Sequence, residues 1–116
     1  MQPESPKHLE DIRDAATFVI EVARKRTLEQ YIEDRLARQA VERNFEIIGE
    51  ALNRLGRADP DTAARIPDLP RIIAFRNILA HAYDSIDHEI VWGLIQTDLP
   101  ELLAEVQLLL KGSPSD

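Results

Sequence analysis

The 116-residue sequence contains no cysteine. Disulfide bridges and thiolate metal sites are therefore excluded, and a reducing cytoplasm is the expected compartment. The opening residues MQPESPK lack the order of basic, apolar and small residues that marks a secretion signal. No apolar run approaches the roughly 18 residues that a membrane span needs. We therefore predict a cytoplasmic protein with no membrane partner.

An excess of positive charge is also missing, since the formal net charge is −7 at pH 7. This balance argues against nucleic-acid binding by bulk electrostatics, which depends on clustered Lys and Arg. The acidity is unevenly placed. Residues 84–116 carry one Lys and seven acidic residues, a balance of −6, whereas residues 1–83 carry 13 basic and 14 acidic residues, a balance of −1. Three arginines and one aspartate make residues 63–83 locally basic.

The alternating pattern of β-strands is absent, and so are internal repeats. Apolar residues recur instead at helical spacings of three and four. We predict an all-α, four- to five-helix bundle with up-down topology. The whole chain, 1–116, is predicted to be a single helical domain, with flexible tails at 1–6 and 112–116.

The first half of the chain predicts two long helical segments. Thr27 and Gln30 have the spacing of a capping box that opens the second one. A break is expected near 31–38, because 27–55 is long for one globular helix, and Gly56 is expected to end the segment. The first apolar stripe comprises Leu9, Ile12, Ala16, Val19, Ile20 and Ala23, and the second Leu36, Val41, Phe45, Ile48, Leu52 and Leu55.

The second half predicts two more helices after a proline-rich connection at 57–70, which could hold one helical turn at 62–65. A helix predicted to begin at 69 or 70 and to end near 82 carries a polar motif. Asp87 is the expected N-cap of the last helix, which continues to about Leu110. Pro100 is expected to kink or restart that helix, with Asp98 and Glu101 recapping it.

The motif RNILAHAYD, residues 76–84, places Arg76, Asn77, His81 and Tyr83 in an otherwise apolar helix. Positions five apart on a helix differ by about 140°, so Arg76 and His81 do not share a face, whereas Asn77 and His81 do. One chain cannot easily bring Arg76 and His81 to one phosphate. Two chains related by a two-fold axis could, which predicts a homodimer.

The motif resembles the signature of the HEPN superfamily, in its HepT-like branch: Arg, a polar residue, three spacers, His, one spacer and Tyr. The segments AVERNFEIIGEALNRL at 40–55 and IPDLPRIIAFRNILAHAYD at 66–84 are both similar to that branch. The resemblance implies an all-helical homodimer that acts as a metal-independent endoribonuclease toxin and needs no cofactor. It places Arg76 and His81 at a composite site in the dimer cleft.

The same resemblance implies a partner. HepT-like toxins are paired with an antitoxin that resembles a minimal nucleotidyltransferase (MntA-like), in what is called a type VII toxin–antitoxin system. The antitoxin neutralises the toxin by transferring AMP to the tyrosine of the motif, which is Tyr83 here. RNA substrate, homodimer and nucleotidyltransferase are thus the expected partners.

The chemistry of metal-free RNA cleavage fits these residue types. It requires a base for the 2′-OH, an acid for the leaving 5′-oxygen and a cation for the developing phosphate charge. Two copies of His81 could share the acid and base roles at neutral pH, and Arg76 can bind phosphate oxygens through the N–H groups of its planar guanidinium. Asn77 would orient His81 or bond the phosphate. Which protomer supplies the acid stays open.

Other interpretations of the motif remain open at this point. Arg76 could pair with Glu42 or Glu46, His81 could satisfy a helix C-terminus, and Tyr83 could be a packed residue with a hydrated hydroxyl. The fold could also serve as a non-catalytic nucleotide-binding or regulatory module that partners a nucleotidyltransferase, a function that the acidic net charge favours slightly.

A metal site is not expected. His81, Asp84, Asp87 and His88 lie close in sequence, but they have no recognised ligand spacing, and Asp87 is better explained as a helix cap. Glu46 and Glu50 are expected to be solvated or to pair with Arg43 and Arg54.

Overall fold

A computed structural model describes residues 1–66 and 86–112, and all of its described elements are helices. This confirms the predicted all-α class. The motif helix predicted for 69–82 lies outside the described residues, so the helix count of the whole chain stays a prediction. The described helices are α1 (Ser5–Arg24), α2 (Leu28–Glu33), α3 (Arg35–Ala58), α4 (Pro60–Ala63), α5 (His88–Gln96) and α6 (Asp98–Gly112).

The core lies where α1 packs against α3 and α6. Both predicted stripes face it, since their members are almost all buried. A fully buried leucine or isoleucine stabilises the fold by roughly 1.5–3 kcal/mol relative to an exposed one. The stripes of α1 and α3 are completed by apolar residues of α6, namely Leu99, Leu102, Val106 and Leu109.

The break predicted near 31–38 occurs at Asp34, which ends α2 and caps α3. Thr27 and Gln30 form the predicted capping box at the start of α2. The Asp34 carboxylate accepts a 3.0 Å hydrogen bond from the Ala37 N–H and a 3.1 Å bond from Arg26 Nε. These two bonds, in that order, lower the pKa of Asp34. Local capping chemistry therefore sets this boundary.

The prediction that Leu36 belongs to the α3 stripe is wrong, because its side chain is 82% exposed. Leu36 lies five positions before Val41, which is about 140° around the helix. Ala37, four positions before Val41, takes the core position instead and is buried.

Gly56 does not end α3, which continues to Ala58. Asp59 closes α3 and caps α4, so the short helix begins at Pro60, two residues earlier than the predicted turn at 62–65. Proline fits there because the first turn of a helix leaves its N–H groups without intrahelical partners.

The long C-terminal segment breaks at Thr97, before Pro100. Thr97 Oγ1 lies 2.8 Å from the Gly93 carbonyl oxygen and 2.7 Å from Asp98 Oδ1, and its single O–H donates to one of them at a time. Helix α6 then starts at Asp98 and carries Pro100 in its first turn, where proline costs no hydrogen bond. The predicted restart is thus observed, with Thr97 at the joint.

Asp59 joins the N-terminal residues to the end of α3. Its buried carboxylate accepts hydrogen bonds from the Gln2 N–H (2.9 Å), the Ser5 hydroxyl (2.8 Å) and the Thr62 hydroxyl (2.6 Å). Ser5 is fully buried and begins α1. The stretch 1–6, predicted to be a flexible tail, is therefore bonded to the α3–α4 junction. The tail predicted at 112–116 lies outside the described residues except for Gly112, which ends α6.

Replacing Asp59 by alanine is expected to destabilise the fold by about 2–4 kcal/mol at pH 7, because it removes a helix cap and leaves buried hydroxyls without an acceptor. Urea unfolding followed by circular dichroism measures this loss. The exposed neighbour Asp61→Ala is the control and is expected to change little. Equal stability of the two variants would contradict the role of Asp59.

The stabilisation by Asp59 also depends on pH. Hydrogen bonds from Thr62 and Gln2 hold the pKa of Asp59 well below its usual range. A carboxyl with a lowered folded-state pKa contributes stability above its unfolded pKa of about 3.9, and that contribution is lost as the pH falls towards the folded-state pKa. The stability difference between wild type and Asp59→Ala is therefore expected to shrink below about pH 4.

Over residues 1–66 and 86–112, none of the helices combines the length and apolarity needed to cross a bilayer.

Candidate functional site

All four predicted site residues, Arg76, Asn77, His81 and Tyr83, lie outside the described residues. The structure does describe both flanks of their segment. On the N-terminal side, Ile66 is only 5% exposed and belongs to the core. On the C-terminal side, Ile86 packs against the same core. The described residues directly before and after 67–85 therefore contact the core.

The first turn of α5 follows the motif and is held by Asp87. The Asp87 side chain accepts hydrogen bonds from the N–H groups of Glu89 (3.0 Å) and Ile90 (3.3 Å). This confirms the predicted N-cap. The same oxygen serves both bonds, so capping explains why an aspartate stands at this position.

His88, the first residue of α5, faces the acidic side chain of Glu42 on α3. The distance from His88 Nδ1 to Glu42 Oε2 is 3.9 Å, and the Glu42 side chain is 19% exposed. Burial raises the pKa of Glu42, against the opposing effects of His88 and Arg38. The sequence suggests Glu42 as a possible partner of Arg76 but gives no sign of its contact with His88, because no local pattern links residues 46 positions apart.

One turn further along α5, Trp92 lies against Tyr31 of α2. Their ring centroids are 5.4 Å apart and their planes are tilted by 39°. Tyr31 is fully buried, and its hydroxyl has no hydrogen-bond partner within the described part of the chain. Burial, followed by the nearby charge of Glu42, raises the pKa of Tyr31. The hydroxyl therefore stays protonated and can only act as a neutral donor or acceptor.

A polar groove also lies between α1 and α3, with a volume of about 350 Å³. Two ion pairs within α3 line it, Arg43–Glu46 at 3.5 Å and Arg54–Glu50 at 3.2 Å, as predicted. With Asp11 added, three acidic residues meet two arginines, so the balance is −1 with neutral histidine. The groove is therefore not a basic channel for phosphates.

The metal interpretation of the motif's C-terminal joint involved His81 and Asp84, which lie outside the described residues. Among residues 1–66 and 86–112, no group of three His, Asp or Glu side chains is arranged to hold a metal ion. The Asp87 carboxylate is engaged in capping, and His88 faces one acidic residue.

Comparison with known proteins covers almost the whole chain. The family described as Ribonuclease HepT-like matches residues 9–109, a range that includes the motif segment. Putative RNase MJ1380 of Methanocaldococcus jannaschii is 33% identical over 103 residues, which cover 87% of this chain and 92% of that protein. Probable ribonuclease HepT of Thermococcus cleftensis is 32% identical over 107 residues, covering 90% and 94% respectively. No solved structure matches at a significant level.

Proposed function

Because the chain belongs to the HepT-like ribonuclease family, we propose that it is an endoribonuclease that cleaves RNA without a metal ion and acts as the toxin of a toxin–antitoxin pair. The observation that carries this proposal is the family match over 9–109, together with a complete RNILAHAY motif at 76–83 inside the matched range. The names of the relatives, which describe ribonucleases, support it.

In this proposal, His81 and Arg76 supply the chemistry. His81 exchanges protons with the 2′-hydroxyl and the leaving 5′-oxygen, because histidine can both accept and donate a proton near neutral pH. Arg76 stabilises the additional negative charge of the phosphorane-like transition state through its planar donors. Asn77 orients His81 or bonds a phosphate oxygen. No step requires a metal-bound water.

The site is proposed to be shared between two copies of the chain. Positions 76 and 81 are about 140° apart on a helix, so one helix directs them to different sides. A two-fold axis beside the motif helix would bring the Arg76 of one protomer near the His81 of its partner. The groove between α1 and α3, with its balance of −1, offers RNA phosphates no net attraction.

Tyr83 is proposed as the point of control. A nucleotidyltransferase antitoxin would transfer AMP to its hydroxyl, two positions beyond His81. The added phosphate and nucleoside would then compete with RNA, both by occupying volume and by binding Arg76. The only other tyrosine, Tyr31, is fully buried and is a poor acceptor.

A second candidate function is a non-catalytic nucleotide-binding module that uses the same fold. The net charge of −7 favours it, because an acidic protein repels the RNA backbone. Residues 84–116 carry most of that acidity, with a balance of −6.

Incubating the purified protein with RNA, with and without EDTA, separates the two functions. A metal-independent ribonuclease is expected to cleave at the same rate in both samples. Cleavage that EDTA abolishes would contradict the metal-free mechanism. Binding of RNA or nucleotide without cleavage, in either sample, would favour the regulatory module over the ribonuclease.

A further inference from the structure

The inner face of α5 contacts two neighbouring helices through residues one turn apart. His88 and Trp92 are four positions apart, so they lie on the same side of the helix. His88 faces Glu42 of α3, and Trp92 lies on Tyr31 of α2. The start of α5 thus contacts its neighbours at two points, one polar and one aromatic.

The polar contact is incomplete as it stands. His88 Nδ1 is buried and has no hydrogen-bond partner among residues 1–66 and 86–112. The 3.9 Å to Glu42 Oε2 is about 1 Å longer than a hydrogen bond. A buried ring nitrogen is costly to leave without a partner, so a carboxylate close to it is favourable. Within the described chain, Glu42 is the acidic side chain that His88 Nδ1 faces.

Among residues 1–66 and 86–112, the other charged groups near Glu42 have partners of their own. Arg38 donates a hydrogen bond to the Ile32 carbonyl, and Glu46 pairs with Arg43. Within the described chain, Glu42 is therefore available to His88. Its partial burial excludes much of the water that would otherwise weaken the contact.

The position of His88 in the sequence connects this pair with the proposed ribonuclease site. His88 follows Tyr83 by five residues and His81 by seven. Five residues span at most about 18 Å, so the placement of the first turn of α5 limits where the end of the motif can lie. Catalytic groups must be held within a fraction of an ångström, and a misplacement of about 1 Å can reduce a rate by about a hundredfold.

We propose that Glu42 and His88 are a positioning pair for the ribonuclease site: their contact, with 3.9 Å between His88 Nδ1 and Glu42 Oε2, holds the first turn of α5 against α3 and thereby limits where the motif segment can end. This inference rests on the proposed function. Neither residue touches RNA or the reacting atoms in this scheme. The pair acts on catalysis only through the placement of the motif.

The test compares Glu42→Ala, His88→Ala and the double variant in RNA cleavage. Each single variant is expected to lower kcat about tenfold with KM within about twofold, because the site is misplaced and RNA contacts are kept. The double variant is expected to be no slower than either single variant, since one interaction is lost in all three. Glu42→Gln keeps an acceptor of the same size and is expected to retain kcat within about twofold.

Two exposed residues of the same helices provide matched controls, Gln39→Ala on α3 and Glu89→Ala on α5. Both are expected to cleave RNA like the wild type. Unchanged kcat in Glu42→Ala, additive losses in the double variant, or a Glu42→Gln protein as slow as Glu42→Ala would each overturn the pair.

Hydrogen exchange measures the pair independently of catalysis. Amides at 86–90 are expected to exchange at least about fivefold faster in Glu42→Ala and in His88→Ala, by similar factors, and to be unchanged in the controls. If the wild-type protein cleaves no RNA, the proposed function is contradicted. Hydrogen exchange at 86–90 then still tests whether Glu42 and His88 hold the start of α5. Unchanged exchange in both variants would overturn the pair even in an active ribonuclease.

Discussion

His81→Ala and Arg76→Ala are expected to cleave RNA about 10²–10⁴ times more slowly than the wild type and to lose toxicity, while their melting temperatures stay within a few degrees. The physical reason is that both residues are proposed to act on the phosphate and not in the core. Initial rates on a labelled RNA, with thermal unfolding by circular dichroism, measure the two effects separately.

Leu52→Ala is the matched control for this separation. Leu52 is fully buried in α3, and its truncation is expected to cost about 2–5 kcal/mol of stability. It therefore shows how loss of fold affects the same assay. If Arg76→Ala or His81→Ala melts as early as Leu52→Ala, the motif residues serve the structure and the assignment of a site to them is wrong.

Mixing the two inactive variants tests the shared site. Each dimer is proposed to hold two shared sites, each formed by Arg76 of one protomer and His81 of its partner. A heterodimer of Arg76→Ala and His81→Ala keeps one of these sites intact and loses both side chains of the other. Random exchange of protomers is therefore expected to restore about a quarter of the activity if each site works alone. No recovery is expected if both copies of His81 must act together. Recovery in a sample that light scattering shows to be monomeric would contradict the shared site.

Tyr83→Phe is expected to cleave RNA like the wild type and to escape neutralisation completely when the cognate nucleotidyltransferase and ATP are present. The hydroxyl is needed as the acceptor of AMP and has no role in the proposed cleavage. Intact mass is expected to show added AMP on the wild type and none on Tyr83→Phe. Growth with and without the antitoxin gives the matching biological measurement.

Tyr31→Phe is the control for this experiment, because the chain has only two tyrosines and Tyr31 is fully buried. It is expected to accept AMP and to be neutralised like the wild type. The Tyr31 hydroxyl has no hydrogen-bond partner within the described chain, so its removal leaves no other group there unpaired. If Tyr83→Phe gains AMP and is silenced, the acceptor lies elsewhere, and modification of Tyr31→Phe then shows whether Tyr31 is involved.

Local signals in the sequence were sufficient for most helix boundaries. The capping residues Thr27 and Asp87 act within three residues of their partners, so a short pattern predicts them. One wrong boundary arose where two local signals compete. Gly56 was expected to stop α3, but the helix continues two residues further, to the stronger signal of Asp59 followed by Pro60.

Contacts between distant helices could not be predicted in this way. Asp59 meets Ser5 and Glu42 meets His88 only because the packing of α1, α3 and α5 brings them together. The site residues themselves were named from the motif, and the family match covers them. Their arrangement in space stays a prediction, because 67–85 lies outside the described residues.

Helix α3 links the two flanks of the motif segment, and this bears on how the family can vary in length. Asp59 closes α3 beside α4, and Glu42 faces the start of α5 from a position 17 residues earlier, about 25 Å along the helix axis. Inserting one residue between them would rotate one contact by about 100° relative to the other and shift it by about 1.5 Å. Insertions and deletions among relatives are therefore expected to fall outside 42–59. They are expected in the connections between helices, where an added residue does not rotate one contact relative to another.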